Sequence, residues 1–233
     1  MKKLLTATIS CFAFVLLAVL SCYALELDAG VQQGVLKSQE GRHRPVTVGV
    51  SGLWLRLDQG VYNGLFAEAA GEGWYFDEPY PDADDKTCSP FMGLDGGTKL
   101  RYEFPVQASL YQFRVYPYIG AHYNYMRQDR CPENGFKDAR LQYLSGKLGL
   151  GVKFPLDESG NKYFFVQGGA VAPLKSWSGP EGSIGDAWAE VEAGYAGKRF
   201  WISVSADHQA FNEPQTDLRF AWLKLGCRFR LPF

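Results

Sequence analysis

Charged residues recur at every second position in several segments of the chain, with glycines among them. Lys147 and Lys153 flank two glycines, and Glu190 and Glu192 precede Gly194. Alternate side chains of a β-strand share one face, so strand structure would gather these charges together. An unpaired buried charge costs several kcal/mol, and we therefore expect enclosed charges of opposite sign to pair.

The chemistry that this set predicts is an ion-pair plug inside a closed sheet, with a polar conduit or gate as the alternative. An eight-stranded barrel favours the plug, because its interior has room only for side chains. A ten-stranded barrel favours it less. The residues assigned to the inward face are Lys99, Arg101, Glu103, Arg114, His122, Lys147, Lys153, Glu190, Glu192, Asp207, Lys224, Arg228 and Arg230.

A hydrolase arrangement is the other chemistry to weigh. Asp207 and His208 follow Ser203 and Ser205, and Ser, His and Asp are the residue types of a catalytic triad. Adjacent strand residues face opposite ways, however, so Asp207 and His208 cannot act together. No metal-ligand spacing, phosphate loop or nucleotide motif occurs. We predict no enzyme, no cofactor and no metal.

The elements that must position these charges are strands, and the clearest one ends the sequence. Apolar residues alternate there with polar or charged ones. A strand with one oily and one cationic face is typical of a transmembrane barrel, which has lipid outside and a polar lumen inside. The apolar residues of this segment are Ala221, Leu223, Leu225, Cys227, Phe229, Leu231 and Phe233.

The same alternation of side chains recurs in the segments that precede this one. Short turns and longer polar loops alternate between these segments. This pattern predicts an all-β, closed antiparallel transmembrane barrel of eight to ten strands with periplasmic termini. The apolar positions change parity at Ser51-Gly52, which predicts a bulge. The segment 61–75 is either a strand or part of a long loop. Further predicted strands are 27–36, 46–57, 97–105, 111–126, 141–154, 162–174, 186–196 and 199–211.

A soluble, lipocalin-like barrel is the main alternative fold, with apolar side chains inward and charges outward. The glycines between the charges argue against it. Glycine on a solvent face is a poor strand residue, whereas inside a narrow barrel it makes room for long charged neighbours. We therefore predict that the charged face is the inner one.

The first residues predict export from the cytoplasm. Lys2 and Lys3 precede an apolar stretch, and small residues end at Ala24, so residues 1–24 are interpreted as a signal peptide and 25–233 as one barrel domain. A membrane-spanning helix and a lipid-modified Cys22 are the alternatives. The formal net charge of −1 gives no indication of nucleic-acid binding.

Three segments resemble a known superfamily. The ending Cys227-Arg-Phe-Arg-Leu-Pro-Phe233 resembles the C-terminal assembly signal of bacterial outer-membrane proteins, carried by Phe229, Leu231 and Phe233. Residues 99–105 and 116–126 resemble strands of the small barrels that include outer membrane protein W, protein X, the opacity proteins and the protein A barrel. The segment 77–94 is longer than the usual loop there, and Pro232 is a further departure.

The resemblance implies an integral, monomeric outer-membrane protein of a diderm bacterium. Its implied partners are the surrounding lipid and the barrel-assembly machinery, which would recognise the C-terminal strand. The function it implies is a narrow channel for small molecules, including hydrophobic ones. The alternative is a plugged, adhesin-type barrel whose long loops bind partners at the surface.

Cysteines and aromatic residues give two further expectations. Cys88 and Cys131 fall in successive long loops and are expected to form a disulfide, with two free thiols as the alternative. Cys227 is expected to face lipid. Aromatic residues expected at the two membrane interfaces are Tyr111, Phe113, Tyr163, Phe164, Phe200, Trp201, Phe229 and Phe233 at one end and Tyr123, Tyr125 and Trp177 at the other.

Overall fold

The computed structural model describes residues 25–40, 46–76, 92–108, 111–128, 139–178, 187–211 and 216–231. These residues form one antiparallel sheet. No helix in this part of the chain is long and apolar enough to cross a membrane. The strands are β1 (Leu25–Glu40), β2 (Val46–Tyr62), β3 (Leu65–Phe76), β4 (Met92–Tyr102), β5 (Phe104–Ala108), β6 (Tyr111–Gln128), β7 (Ala139–Pro155), β8 (Tyr163–Ser178), β9 (Trp188–Ala196), β10 (Phe200–Phe211) and β11 (Thr216–Leu231).

The sheet closes on itself where β1 pairs with β11 in unbroken register from Leu25–Leu231 to Glu40–Thr216. On the opposite side β4 pairs with β6, and β5 continues the line of β4 along the same strand after a break at Glu103. Taking β4 and β5 as one wall strand, the described residues form a closed barrel of ten strands. The predicted closed antiparallel barrel is confirmed, with ten strands rather than eight.

The two extra wall strands come from the first third of the chain, where the sequence pattern is weakest. The predicted segment 61–75 is divided by a two-residue turn at Asn63-Gly64, so that β2 ends before it and β3 begins after it. Both turn residues have positive φ, 27° at Asn63 and 89° at Gly64. An Asn-Gly pair with this backbone matches the right-handed twist of a hairpin.

The bulge predicted at Ser51-Gly52 is wrong. Both residues pair in regular register with β1 and with β3, and the register shift of β2 lies at Gly60–Tyr62 instead. The parity changes because Val50 and Trp54 are apolar side chains that point inward and are buried. An apolar layer inside the barrel therefore produces the same change of apolar parity in the sequence as a bulge.

The exterior of the barrel is apolar, and the interior holds the charges. Outward side chains in mid-strand are highly exposed, including Leu53 at 67%, Leu148 at 65% and Ile119 at 61%. A soluble barrel would bury such residues, because burying one large apolar side chain stabilises the fold by about 1.5–3 kcal/mol relative to leaving it in water. The lipocalin-like alternative is therefore excluded, and the wall is a transmembrane one.

The barrel has two distinct ends. The turn end carries Asn63-Gly64, the turns 156–162 and 197–199, the first residue of β1 and the last of β11. The distal end is the opposite one, where β3 is followed by residues 77–91 and β6 by residues 129–138.

Aromatic side chains ring the outside of the turn end, as interfacial girdles do in membrane barrels. Tyr102 and Phe104 have ring centroids 4.6 Å apart, and Tyr195 lies 5.3 Å from Phe164 and 5.1 Å from Phe200. Two residues that the sequence analysis assigned to this girdle are inside instead. Tyr163 and Trp201 are odd-numbered residues on β8 and β10, they point into the lumen, and both are buried.

Candidate functional site

The candidate site is the lumen, where the charged residues predicted for the inward face are brought together. Each of them lies on the inward face of its strand, and most make ion pairs within the barrel. Arg114 and Arg230 lie at the turn-end rim and keep about half and 40% of their side chains exposed. From the turn end upward, the lumen contains three layers.

The first layer is a network around Arg101, whose side chain is 4% exposed. Arg101 contacts three carboxylates: Asp58 at 2.7 Å, Glu103 at 3.0 Å and Glu68 at 3.4 Å. Lys153 of β7, two strands away along the wall, pairs with Glu103. We call Arg101, Asp58, Glu68, Glu103 and Lys153 the Arg101 network. Glu103 keeps the inward alternation of Lys99 and Arg101 through the break between β4 and β5.

A second group of this layer spans the seam between the first and last strands. Asp28 lies between Arg228 of β11 and Arg56 of β2, its register partners on either side. Arg228 donates to Asp28 at 2.8 and 3.1 Å, and Arg56 also pairs with it. The guanidinium of Arg56 lies 3.6 Å from the ring centroid of Trp201. The inward position of Trp201 thus serves a cation–π contact.

The second layer lies in mid-lumen and consists of separate pairs. His122 Nδ1 is 2.7 Å from Asp95 Oδ1. Lys147 pairs with Glu190 and Lys224 with Glu72, each at 2.5 Å. These pairs link β4 to β6, β7 to β9 and β11 to β3, so they cross the lumen as well as following the wall.

Glu192 completes the middle layer through neutral donors. It accepts hydrogen bonds from Gln167 Nε2 and Ser203 Oγ, each at 2.7 Å. Ser203 in turn accepts from the indole N–H of Trp201 at 3.2 Å. A chain of hydrogen bonds therefore connects the middle layer to the aromatic ring beneath it.

The third layer, at the distal end, is apolar and was not predicted. Its rings pack closely, with Phe220 and Trp222 stacked at 5.9 Å and Trp74 5.6 Å from Phe220. Tyr143 meets Trp188 edge-on at 5.9 Å. We call this set the aromatic layer, and its buried members are Leu36, Val50, Trp74, Met126, Tyr143, Val171, Trp188, Phe220 and Trp222.

Small cavities remain between these layers. One of about 160 Å³ lies in mid-lumen, with Trp222 and Lys99 in its wall. Another of about 150 Å³ lies at the turn end, lined in part by Glu26 and Arg114. A space of about 20 Å³ beside Arg101 separates them and shares wall residues with both. The lumen therefore holds two chambers with a much smaller space between them beside Arg101, and the aromatic layer lies above.

Glycines on the inward face accommodate rings rather than long charged side chains, which corrects the expectation from the sequence. A Cβ added to Gly151 would lie 2.2 Å from the Tyr116 ring, and one added to Gly149 would lie 2.3 Å from the Tyr118 ring. Both tyrosines are buried. Tyr116 and Tyr118 thus lie flat across β7 because its glycines leave no side chain beneath them.

Seven lumen residues were missed by the sequence analysis, because they lie in the weakly patterned first third or at strand starts. The Asn63-Gly64 pair is a sequence signal for a hairpin, and it would have identified β2 and β3 as separate strands. The acidic residues that alternate along these strands would then have been assigned to the inward face. The missed residues are Glu26, Asp28, Arg56, Asp58, Glu68, Glu72 and Asp95.

The hydrolase arrangement is not formed. Asp207 points into the lumen, whereas His208 points outward and is exposed. Among the described residues, no group of three or more His, Cys, Asp or Glu side chains could hold a metal ion. Cys227 is a free, exposed thiol on the outer face, and Phe229 lies exposed beside it. Cys22, Cys88, Cys131, Phe233 and residues 1–24 lie outside the described residues.

Comparisons with known proteins find a likeness of architecture. No protein-family model and no curated protein sequence matches the chain. The translocator domain of the autotransporter NalP from Neisseria meningitidis is 13% identical, with 97% of this chain and 98% of that one covered and a TM-score of 0.45. The outer membrane protein OprG from Pseudomonas aeruginosa is 12% identical, with 91% and 97% covered and a TM-score of 0.44.

A third solved structure, Neisserial surface protein A, is 13% identical, with 89% of this chain and 99% of that one covered and a TM-score of 0.42. At this identity the likeness concerns the barrel fold. The chain's own features carry the assignment further. A closed antiparallel ring with an apolar exterior, an aromatic girdle and a charged interior is a bacterial outer-membrane β-barrel.

Proposed function

We propose that this protein is an outer-membrane barrel whose lumen is closed to solutes, and that it acts through the surface it presents to the outside. The observation that carries this proposal is the sequence of closures along the lumen. Beside the Arg101 network the space between the two chambers is about 20 Å³, and a cluster of buried apolar side chains lies at the distal end. A hydrated ion would have to disrupt both.

The closed state is energetically favoured. Removing one partner of a buried ion pair costs about 3–5 kcal/mol, and Arg101 alone contacts three carboxylates. Passage past it requires several such contacts to break together. The aromatic layer adds an apolar barrier, because its side chains are packed together and buried.

The surface role follows from what the barrel carries at its distal end. The segment that links β3 to β4 includes Asp77, Glu78, Asp82, Asp84 and Asp85. Such a run of carboxylates attracts cations or basic partners. With the termini in the periplasm, as we propose, this end faces outward, and the C-terminal strand that carries Phe229 is the part offered to the assembly machinery.

A narrow conduit for small molecules is the second candidate, and one observation favours it. The two chambers and the small space between them lie in a row and share wall residues. Rearrangement of the Arg101 network would join the chambers into one path. This candidate requires an opening event, whereas the closed barrel does not.

Planar-bilayer recording of the refolded protein distinguishes the two. The closed barrel predicts no steady conductance at moderate voltage and no uptake of small solutes into liposomes. A stable conductance in every bilayer that contains the protein, or solute uptake that depends on the protein, supports the conduit instead. Deletion of residues 77–91 provides the other arm, since it should abolish binding of basic partners without changing conductance.

A further inference from the structure

Two pairs of carboxylates face each other across the mid-lumen chamber. Glu72 of β3 is the register partner of Asp95 of β4, and Glu190 of β9 is the register partner of Asp207 of β10. All four side chains line the chamber of about 160 Å³. Three strands separate the two pairs in either direction around the sheet, so the pairs lie on opposite walls. We call Glu72 and Asp95 the first acidic pair, and Glu190 and Asp207 the second.

Each acidic pair is bound by one lysine. Lys224 contacts Glu72 and Lys147 contacts Glu190, each at 2.5 Å. Carboxylates that are direct cross-strand neighbours repel each other, so one lysine leaves each pair with an excess of negative charge. Counting histidine as neutral, the four carboxylates exceed these two lysines by two charges. Such an excess is costly in an enclosed space.

The other cations of the chamber have carboxylate partners of their own. Lys99 lies 3.0 Å from Glu68, and Arg56 pairs with Asp28, which is not part of the chamber wall. Over the whole wall, six carboxylates line the chamber together with four lysine or arginine side chains. The excess of two negative charges therefore holds for the chamber as a whole.

The placement of this excess charge selects the shape of a ligand. Asp207 interacts electrostatically with Lys147 and, across the chamber, with Glu72 and Asp95. The carboxylates nevertheless approach from two sides and do not converge on one point. Among the described residues, no group of three or more His, Cys, Asp or Glu side chains could hold a metal ion. A ligand that neutralises both walls therefore needs a positive group at each of its two ends.

The volume and the aromatic walls of the chamber define the middle of the ligand. A cavity of about 150 Å³ holds benzene, so this chamber has room for about six non-hydrogen atoms. Trp54, Trp222 and Tyr118 are part of its wall. These rings suit both methylene groups and cations, and Lys99 Nζ already lies 5.2 Å from the centroid of the Tyr118 ring.

We propose that the mid-lumen chamber binds a short linear diamine as its dication, with one ammonium group at each acidic pair. Each ammonium donates charge-assisted hydrogen bonds to the carboxylates of its wall, and the methylene chain lies against the aromatic rings. Two nitrogens and a chain of about four carbons match the volume of the chamber. The bound dication cancels the excess charge and lies between the Arg101 network and the aromatic layer. This ligand goes beyond the proposed surface role, because it belongs to the interior.

Refolding the protein with putrescine, a four-carbon diamine, tests the site. Because the lumen is closed, the ligand is supplied during refolding, and gel filtration in detergent then removes what is free. Native mass spectrometry counts the molecules retained, and we expect one per barrel. Butylamine and butanediol have the same chain length with one charge or none, and an eight-carbon diamine exceeds the volume of the chamber. None of these three should be retained.

A double variant tests the acidic pairs directly. Asp95→Asn/Asp207→Asn removes one carboxylate from each wall and keeps the contacts of both lysines. It should need about a hundredfold more putrescine for half-occupancy, since each charged hydrogen bond contributes about tenfold. The matched control is Glu26→Gln/Asp157→Asn, which removes the same charge at the turn end, outside the chamber. The control should bind putrescine as the wild type does.

Three results overturn the site: no retained putrescine, equal retention of butylamine, or undiminished binding by the Asp95→Asn/Asp207→Asn variant. A heat-modifiable gel shift shows whether each variant is folded. The ligand series needs only the wild-type protein, so it decides the matter even where the variant fails to fold. Conductance is not part of either readout, and failure of the diamine site would therefore leave the closed lumen untouched.

Discussion

Arg228 and Asp28 join the last strand of the barrel to the first. Arg228 Nε donates to Asp28 Oδ1 at 2.8 Å and Nη2 donates to Oδ2 at 3.1 Å, and the two residues are direct register partners across the β1–β11 seam. Both side chains are almost completely buried. This two-pronged contact therefore fixes the register of the closing seam, where a slip of one residue would turn every inward side chain outward.

Replacing Arg228 by Leu should lower the free energy of unfolding by about 3–5 kcal/mol, because it leaves Asp28 as a buried charge with one cation fewer. Urea unfolding in detergent micelles, followed by gel mobility, measures the change. Arg230→Leu is the control, since Arg230 pairs with Glu26 at a rim where its side chain is 40% exposed. The expected effect there is below about 1 kcal/mol. Similar losses for the two variants would contradict a special role for the seam pair.

The two closures of the lumen act in series, so removing one should not open the barrel. Trp74→Ala removes rings from the aromatic layer, and Arg101→Gln removes the central cation of the network. Each single variant is expected to remain without steady conductance in planar bilayers. The double variant Trp74→Ala/Arg101→Gln should conduct, because the aromatic layer has a gap and the Arg101 network has lost its central cation. If either single variant conducted as well as the double variant, the closure left in place would not block the lumen by itself.

The fit between Gly151 and Tyr116 can be tested by adding a side chain. Gly151→Val places Cβ where the Tyr116 ring lies, 2.2 Å away in the present geometry, and overpacking of this kind costs about 1–3 kcal/mol. Gly146→Val is the matched control on the lipid face of the same strand, where a Cβ would meet only the Leu174 side chain at 3.5 Å. Thermal unfolding in detergent should rank Gly151→Val well below Gly146→Val. Equal midpoints would show that the ring moves aside at no cost.

Much of the fold could be predicted from sequence because β7 and β9–β11 alternate cleanly between apolar and charged or glycine positions. The strand that contains Lys99 and Arg101 was predicted for the same reason. The first third was harder to interpret, since Val50 and Trp54 are apolar residues inside a polar lumen. Alternation shows only which residues share a face of the sheet. It cannot show that apolar residues, such as these two, belong to the inner face.

The partners of the lumen charges could not be predicted for a different reason. Arg101 meets Asp58 and Glu68 from strands that lie before it in the chain, and Lys153 meets Glu103 from two strands further along the wall. Such pairs depend on the stagger of the closed sheet and on the number of strands. Because the Asn-Gly hairpin was not detected, neither the stagger of the sheet nor the number of strands could be determined from the sequence.

The most direct test of which face meets lipid is a nitroxide scan of β11 in lipid bilayers, one residue at a time from Ala221 to Cys227. Cys11, Cys22, Cys88 and Cys131 are replaced by serine throughout, and Cys227 is replaced as well whenever another position carries the label. Collision rates with oxygen, which dissolves in lipid, and with a water-soluble nickel chelate report the environment of each label. We expect high oxygen and low nickel access at positions 221, 223, 225 and 227, and the loss of this lipid signature at 222, 224 and 226. The reverse parity, or a uniform profile, would contradict a barrel with its apolar face in lipid and its charges enclosed.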